Sequence, residues 1–162
     1  MKPSKIPEDS WTVFALSIFK LNSLIIQAGE NIAQPIGQSS ARWQVLGRAF
    51  KPQTVAEIAR DIGHARQSVQ RVADILAVEG LIAYKDHPDR RTKLLELTPK
   101  GLKVLTTIYA RQLKWSERIL AKLNPKQLAT IVDALKDIAQ VLEIDLSAKS
   151  KKNKSVTIKP NN

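Results

Sequence analysis

The sequence contains no cysteine and only two histidines, His64 and His87. The lack of cysteine excludes disulfide bonds, thiolate zinc sites, a cysteine nucleophile and sensing by cysteine oxidation. The histidines lie in separate turns without an acidic cluster, whereas a zinc site needs three or four convergent ligands. No motif pairs a nucleophile with a base or forms a glycine-rich phosphate loop. We therefore expect no metal site, no cofactor and no enzyme activity.

Long apolar runs are also missing. No uninterrupted run approaches the ~20 residues that span a bilayer, and the N-terminus lacks the apolar core of a signal peptide. We therefore expect a cytoplasmic protein without membrane contact. The length of 162 residues and the hydrophobic share of 43% suit one domain with its own core.

Positive charge is in excess, with a formal net charge of +11. Such an excess points to a polyanionic partner, first of all nucleic acid. Five of these charges lie in an acid-free C-terminal stretch: Lys149, Lys151, Lys152, Lys154 and Lys159. We expect residues 147–162 to form a disordered basic tail that touches DNA phosphates without sequence preference.

Caps, prolines and glycines divide the chain into helices joined by short turns. Thr54 and Glu57 form a capping box, and the short helix that they open stops at Gly63. A second helix follows from about Arg66 and ends at Gly80. Two helices joined by a tight glycine-containing turn predict a helix-turn-helix. Apolar spacing predicts further helices over about 10–31, 41–50 and 99–123 and from 125 onwards.

The second helix of this motif carries the candidate DNA-reading residues. Its apolar stripe faces the core, and the N-terminal end of such a helix reaches base edges in the major groove. Arginine pairs with guanine and glutamine with adenine. The alternative interpretation is an ordinary solvated helix face. The candidate residues are Arg66, Gln67, Ser68, Gln70 and Arg71.

A charged turn between two short predicted strands forms a hairpin, the wing. The strands cover about 81–85 and 92–97, and the turn between them is Asp86-His87-Pro88-Asp89-Arg90-Arg91. A narrow minor groove attracts inserted arginine, and the Asp89 carboxylate could hold one arginine in a fixed rotamer. The alternative is a tight turn whose charges only keep it hydrated. The candidate wing residues are Asp89, Arg90, Arg91 and Lys93.

The terminal helices carry more apolar surface than the central unit can cover, so we expect them to pair across a two-fold axis in a homodimer. The predicted fold is mainly α with a small β-hairpin wing, a winged helix-turn-helix flanked by dimerisation helices. The predicted segments are an N-terminal dimerisation helix (1–37), a DNA-binding lobe (38–100), C-terminal dimerisation helices (101–146) and the basic tail (147–162).

Residues 66–101 resemble the central signature of MarR-type regulators. The stretch from Ser68 to Leu76 with Glu79-Gly80-Leu81 matches that family's recognition helix, and Asp86 to Leu94 with Leu97 to Gly101 resembles its wing. Ala65 departs from the pattern, because such proteins often have a capping serine there. The resemblance implies a homodimer on a pseudo-palindromic operator, controlled by a small aromatic or anionic ligand.

Three residues are candidates for a ligand pocket: Trp11, Arg42 and Trp43. Both tryptophans begin helices near the expected junction of dimerisation and DNA-binding parts, and an aromatic wall with one cation suits an aromatic acid. The alternative is that both are plain core residues and Arg42 is solvated.

The function that these features favour is sequence-specific binding of double-stranded DNA by a transcriptional regulator, with repression by promoter occlusion. Two alternatives stay open. One is an architectural DNA-binding protein with low sequence specificity, and the other is a winged-helix protein-interaction module that does not bind DNA.

Overall fold

The computed structural model describes residues 9–86, 88 and 91–156, with side chains up to residue 148. The chain divides into two compact units, Met1–Leu113 and Lys114–Asn162. The first unit therefore joins the N-terminal helix to the DNA-binding lobe. The elements are α1 (Ser10–Ala33), α2 (Ser40–Arg48), β1 (Gln53–Thr54), α3 (Val55–Ile62), α4 (Arg66–Val78), β2 (Ile82–Asp86), β3 (Lys93–Leu97), α5 (Pro99–Leu120) and α6 (Pro125–Val156), with a 3-10 turn at Gln34–Ile36.

Side-chain caps start α1 and α3. The Asp9 carboxylate accepts a hydrogen bond from the Thr12 amide at 2.6 Å, which lowers the pKa of this carboxyl group. The capping box is present, because the Thr54 hydroxyl accepts from the Glu57 amide at 3.2 Å. In return, the Thr54 amide donates to the Glu57 carboxylate at 2.8 Å. These local bonds fix the first turn of α3.

The three strands form one antiparallel sheet in the order β1-β3-β2. The hairpin of β2 and β3 pairs Tyr84 with Leu95, and β1 pairs Gln53 with Leu95 from the other side. Strand β1 was not predicted, because a strand of two residues is too short to show a period. The mainly helical fold with a small wing is confirmed.

The core lies where the helix-turn-helix, the sheet and α5 meet. Large apolar side chains from five elements are at most 1% exposed there: Leu46, Ile58, Leu76, Leu95 and Leu105. Each comes from a different element, α2, α3, α4, β3 and α5 in turn. The core thus fixes α4 against the wing and leaves the opposite face of α4 to solvent.

Helix α1 is buried only near its C-terminal end, at Gly29, Ile32 and Ala33. Its remaining length exposes large apolar side chains: Trp11, Val13, Leu16, Phe19, Leu21, Leu24, Ile25 and Ile26. The segment Ser10–Ile36 reaches a mean hydropathy of 1.4, so by length and composition it could cross a membrane. The segment contains no long uninterrupted apolar run, because Lys20 and several neutral polar residues are spread among the apolar ones. A membrane-spanning length was therefore not predicted from the sequence. A helix of a soluble protein passes the same test.

Helix α6 begins after Asn124, whose side-chain oxygen accepts from the Lys126 amide at 3.0 Å, and it continues to Val156. The prediction of a disordered tail from residue 147 is therefore wrong for residues 147–156. Ala148 and the lysines are good helix formers, and no proline or glycine interrupts the helix before Pro160. Residues 157–162 lie outside the described part of the chain.

Candidate nucleic-acid interface

The turn between α3 and α4 sets the direction of the candidate recognition helix. Gly63 ends α3 with φ of 67°, the left-handed conformation that favours glycine. Ala65 then occupies the cap position of α4 and provides no side-chain hydrogen bond. His64 lies exposed in this turn. The helix direction is therefore set by the glycine and by the packing of Val69 rather than by a cap.

Helix α4 has a buried face and an exposed polar face. Val69, Ala73 and Leu76 are buried. Of the five candidate reading residues, Gln70 is half-buried, and the other four are exposed: Arg66, Gln67, Ser68 and Arg71. The buried and exposed faces of α4 therefore follow the helical period that the apolar residues show in the sequence.

The wing places two cations of the candidate set beside α4. Arg91 is exposed, and the Lys93 ammonium group lies 3.1 Å from a carboxylate oxygen of Asp86. Both partners of this pair are largely exposed, so it contributes little stability and can exchange for a phosphate. Asp89, Arg90 and His87 lie outside the described residues.

A cleft of about 380 Å³ separates the start of α4 from the wing. Arg66 lines it from α4, and Arg91 and Lys93 line it from the wing. Three cations around one open cleft suit an anionic group such as a backbone phosphate. The cleft is therefore continuous with the polar face of α4.

Three side chains close a hydrogen-bonded triangle between α4 and β2. The Gln70 amide nitrogen donates to Asp74 at 2.9 Å and to the Tyr84 hydroxyl at 2.8 Å, and Tyr84 donates to Asp74 at 2.7 Å. The hydrogen bond from Tyr84 makes the largest contribution to lowering the pKa of Asp74, and the hydrogen bond from Gln70 lowers it further. Burial, together with the Asp74 carboxylate, raises the pKa of Tyr84 to about 12. Asp74 is thus an anion and Tyr84 a neutral phenol at pH 7.

Neither Tyr84 nor Asp74 was predicted as a functional residue from the sequence. The available signal was the alternation of β2, in which Ile82 and Tyr84 share one side of the strand. Ile82 is buried in the core, so a tyrosine two residues later should face the same neighbours. One of those neighbours is α4.

The predicted pocket of Trp11, Arg42 and Trp43 is not assembled within one chain. Trp43 packs near Gly29 of α1, which is eighteen residues beyond Trp11, or about 27 Å along the helix. Trp11 is 53% exposed and contacts Phe14. Trp43 is half-buried and meets Tyr109 edge-on, with ring centroids 6.4 Å apart. The prediction that the two tryptophans share one wall is therefore wrong for the single chain, since α1 runs unbroken between them.

Arg42 joins α2 to the end of the candidate recognition helix. Its guanidinium donates to the carboxylate of Glu79 and, at 2.8 Å, to the side-chain oxygen of Gln38. Glu79 is the C-terminal cap residue of α4. The alternative interpretation of Arg42 as a solvated cation is therefore wrong, because the side chain is an ion-pair partner of Glu79 and is only partly exposed.

No protein-family model matches the chain. Curated proteins from Mycobacterium and Bacillus are similar to it. An uncharacterized protein of Mycobacterium tuberculosis is 36% identical over 130 residues, which cover 79% of this chain and 91% of that protein. An uncharacterized HTH-type transcriptional regulator of Bacillus subtilis, YwoH, is 30% identical over 100 residues, which cover 60% of this chain and 73% of the regulator.

Solved structures agree on the fold. AbsC, a MarR family transcriptional regulator from Streptomyces coelicolor, superposes with a TM-score of 0.74 at 18% identity, over 86% of this chain and 99% of AbsC. MarR of Staphylococcus aureus, in complex with salicylate and kanamycin, has a TM-score of 0.68 at 21% identity, over 80% of this chain and 89% of that one. This chain is therefore a helix-turn-helix transcriptional regulator with the winged-helix fold of the MarR family, and it is not an enzyme.

Proposed function

We propose that the chain is a sequence-specific DNA-binding repressor that acts in the cytoplasm as a homodimer on a pseudo-palindromic operator. The observation that carries this proposal is the exposed polar face of α4, which ends in a cleft with Arg66, Arg91 and Lys93. A surface of this kind can contact base edges and phosphates at once, because the two sets of groups are fixed to one core.

Each part of the surface has its own role in the proposed complex. Helix α4 enters the major groove, where Arg71 and Gln70 reach base edges. The wing follows the backbone into the flanking minor groove, with Arg91 as its cation. The Lys93 ammonium group leaves the Asp86 carboxylate and pairs with a phosphate instead. The C-terminal lysines add contacts that do not depend on sequence.

Helix α1 supports the proposed homodimer. It extends about 36 Å, and it is covered only near one end. Leu16, Phe19 and Ile25 are 61%, 69% and 57% exposed. A stripe of this length is more than a monomer in water normally leaves open. A second copy related by a two-fold axis covers both stripes with one contact.

A small aromatic or anionic ligand is proposed to release the DNA. Salicylate is bound in the Staphylococcus aureus relative. In this chain a carboxylate would compete with Glu79 for Arg42, and so act on the C-terminal end of α4. Such a ligand must bind the free protein more tightly than the DNA-bound form.

Comparing a selected operator with bulk DNA tests this function. A repressor should bind the operator at least ~10³-fold more tightly than unrelated duplex at the same salt concentration. An architectural protein would show nearly equal affinities, and an interaction module would bind neither. Competition gel shifts at several salt concentrations measure the ratio directly.

A further inference from the structure

The triangle of Gln70, Asp74 and Tyr84 fixes which end of the glutamine amide is held by protein. The Asp74 carboxylate is ionised, so its oxygens can only accept hydrogen bonds. The single proton of the Tyr84 hydroxyl points to Asp74, which leaves that hydroxyl to accept from Gln70. Both neighbours therefore need a donor, and the amide nitrogen must face them. The reverse orientation would set the amide oxygen against a carboxylate at 2.9 Å.

The carbonyl oxygen of Gln70 is the end that remains available. Within the described part of the chain, Oε1 receives no hydrogen bond, although Gln70 lines both the cleft and the exposed face of α4. Tyr84 belongs to β2 and Asp74 to α4, so the amide is held from two elements that share one core. Turning it over would break two hydrogen bonds at once.

We propose that Asp74 and Tyr84 are positioning residues that make Gln70 read DNA through its carbonyl oxygen alone. A lone acceptor selects a base with an amino group in the major groove, which is adenine through N6 or cytosine through N4. It disfavours guanine O6 and thymine O4, because two acceptors would meet. This inference rests on the proposed function, and it replaces the usual glutamine–adenine pair, which also needs a donor for N7.

Base analogues in the operator test the proposal. The Gln70→Ala variant first locates the base pair at which discrimination is lost. At that pair, adenine is replaced by purine, which lacks the 6-amino group, or by 7-deazaadenine, which lacks the N7 acceptor. If the pair is C·G, pyrimidin-2-one replaces cytosine. Removing the amino group should weaken wild-type binding about tenfold, whereas 7-deazaadenine should change it less than about twofold.

Releasing the amide should change this pattern. In a chain with Asp74→Ala and Tyr84→Phe together, Gln70 can turn and pair with both N6 and N7 of adenine, so replacement by 7-deazaadenine should then weaken binding about fivefold or more. The matched control is Tyr109→Phe, which removes a hydroxyl from a half-exposed tyrosine on α5. It should keep the wild-type pattern. Thermal unfolding of every variant verifies that it is folded.

Three results would overturn the inference. These are equal losses from the two adenine analogues in the wild type, no loss on removing the amino group, and a double variant with the wild-type pattern. None of these results contradicts the proposed function. That function is contradicted separately if the wild type does not bind its operator more tightly than bulk DNA.

Discussion

Replacing Arg71 with alanine is expected to weaken operator binding by about 1–3 kcal/mol, or roughly 5- to 150-fold. Arg71 is exposed on α4, one turn beyond Arg66 and Gln67 and away from the buried face. An arginine that pairs with guanine in the major groove loses two charge-assisted hydrogen bonds when it is truncated. Discrimination at one base pair should fall together with affinity.

Two further variants separate base reading from general attraction. Arg91→Ala should weaken binding with a smaller effect on base preference, since the wing contacts the backbone and minor groove. Lys103→Ala removes the same charge from an exposed position on α5 and should leave operator affinity within about twofold. Fluorescence anisotropy at fixed salt concentration measures the operator affinity of all three variants. If the Arg71→Ala protein binds the operator as tightly as the wild type, the proposal that α4 lies in the major groove is contradicted.

Replacing Gly101 with alanine should destabilise the fold by ~3 kcal/mol or more, which is a large part of a typical total. A Cβ atom at this position would lie 1.8 Å from the backbone oxygen of Leu81 and 3.2 Å from a methyl carbon of Leu97. The Leu81 oxygen also accepts from the Thr98 amide at 3.1 Å. The start of α5 therefore crosses the start of β2 at a distance that only glycine permits, and alanine must displace backbone.

Gly47→Ala is the matched control. Its added Cβ would meet only the Tyr109 hydroxyl, at 3.4 Å, and alanine is the better residue inside a helix. That variant should be neutral or more stable by up to ~1 kcal/mol. Denaturant unfolding at equal protein concentration measures both changes. A Gly101→Ala protein as stable as the wild type would show that α5 does not approach Leu81 so closely.

The elements that sequence reasoning located are those set by local chemistry. The Thr54–Glu57 capping box, Pro99 at the first helical position and Gly63 at a helix end each act within one turn. Their effect can therefore be inferred without knowing the rest of the fold. The exposed face of α4 followed in the same way from the helical period. Strand β1 was missed because its pairing with β3 is entirely tertiary.

The site was less predictable than the fold. Gln70 and Tyr84 are fourteen positions apart on different elements, so only the packing of α4 against β2 shows that they meet. The separation of Trp11 from Trp43 was within reach of the sequence. An unbroken helix from residue 10 to about 31 already places its first turn far from the helix that follows its end.

Two copies joined by α1 are proposed to place their two α4 helices in successive major grooves. Sedimentation of the free chain and of the chain on its operator tests this arrangement most directly. The account predicts a dimer of the free chain at micromolar concentration and two chains per operator duplex. The two half-sites should be inverted repeats with centres about 10–10.5 base pairs apart, or a multiple of that spacing. A folded monomer in solution, or one chain on an asymmetric site, would contradict it.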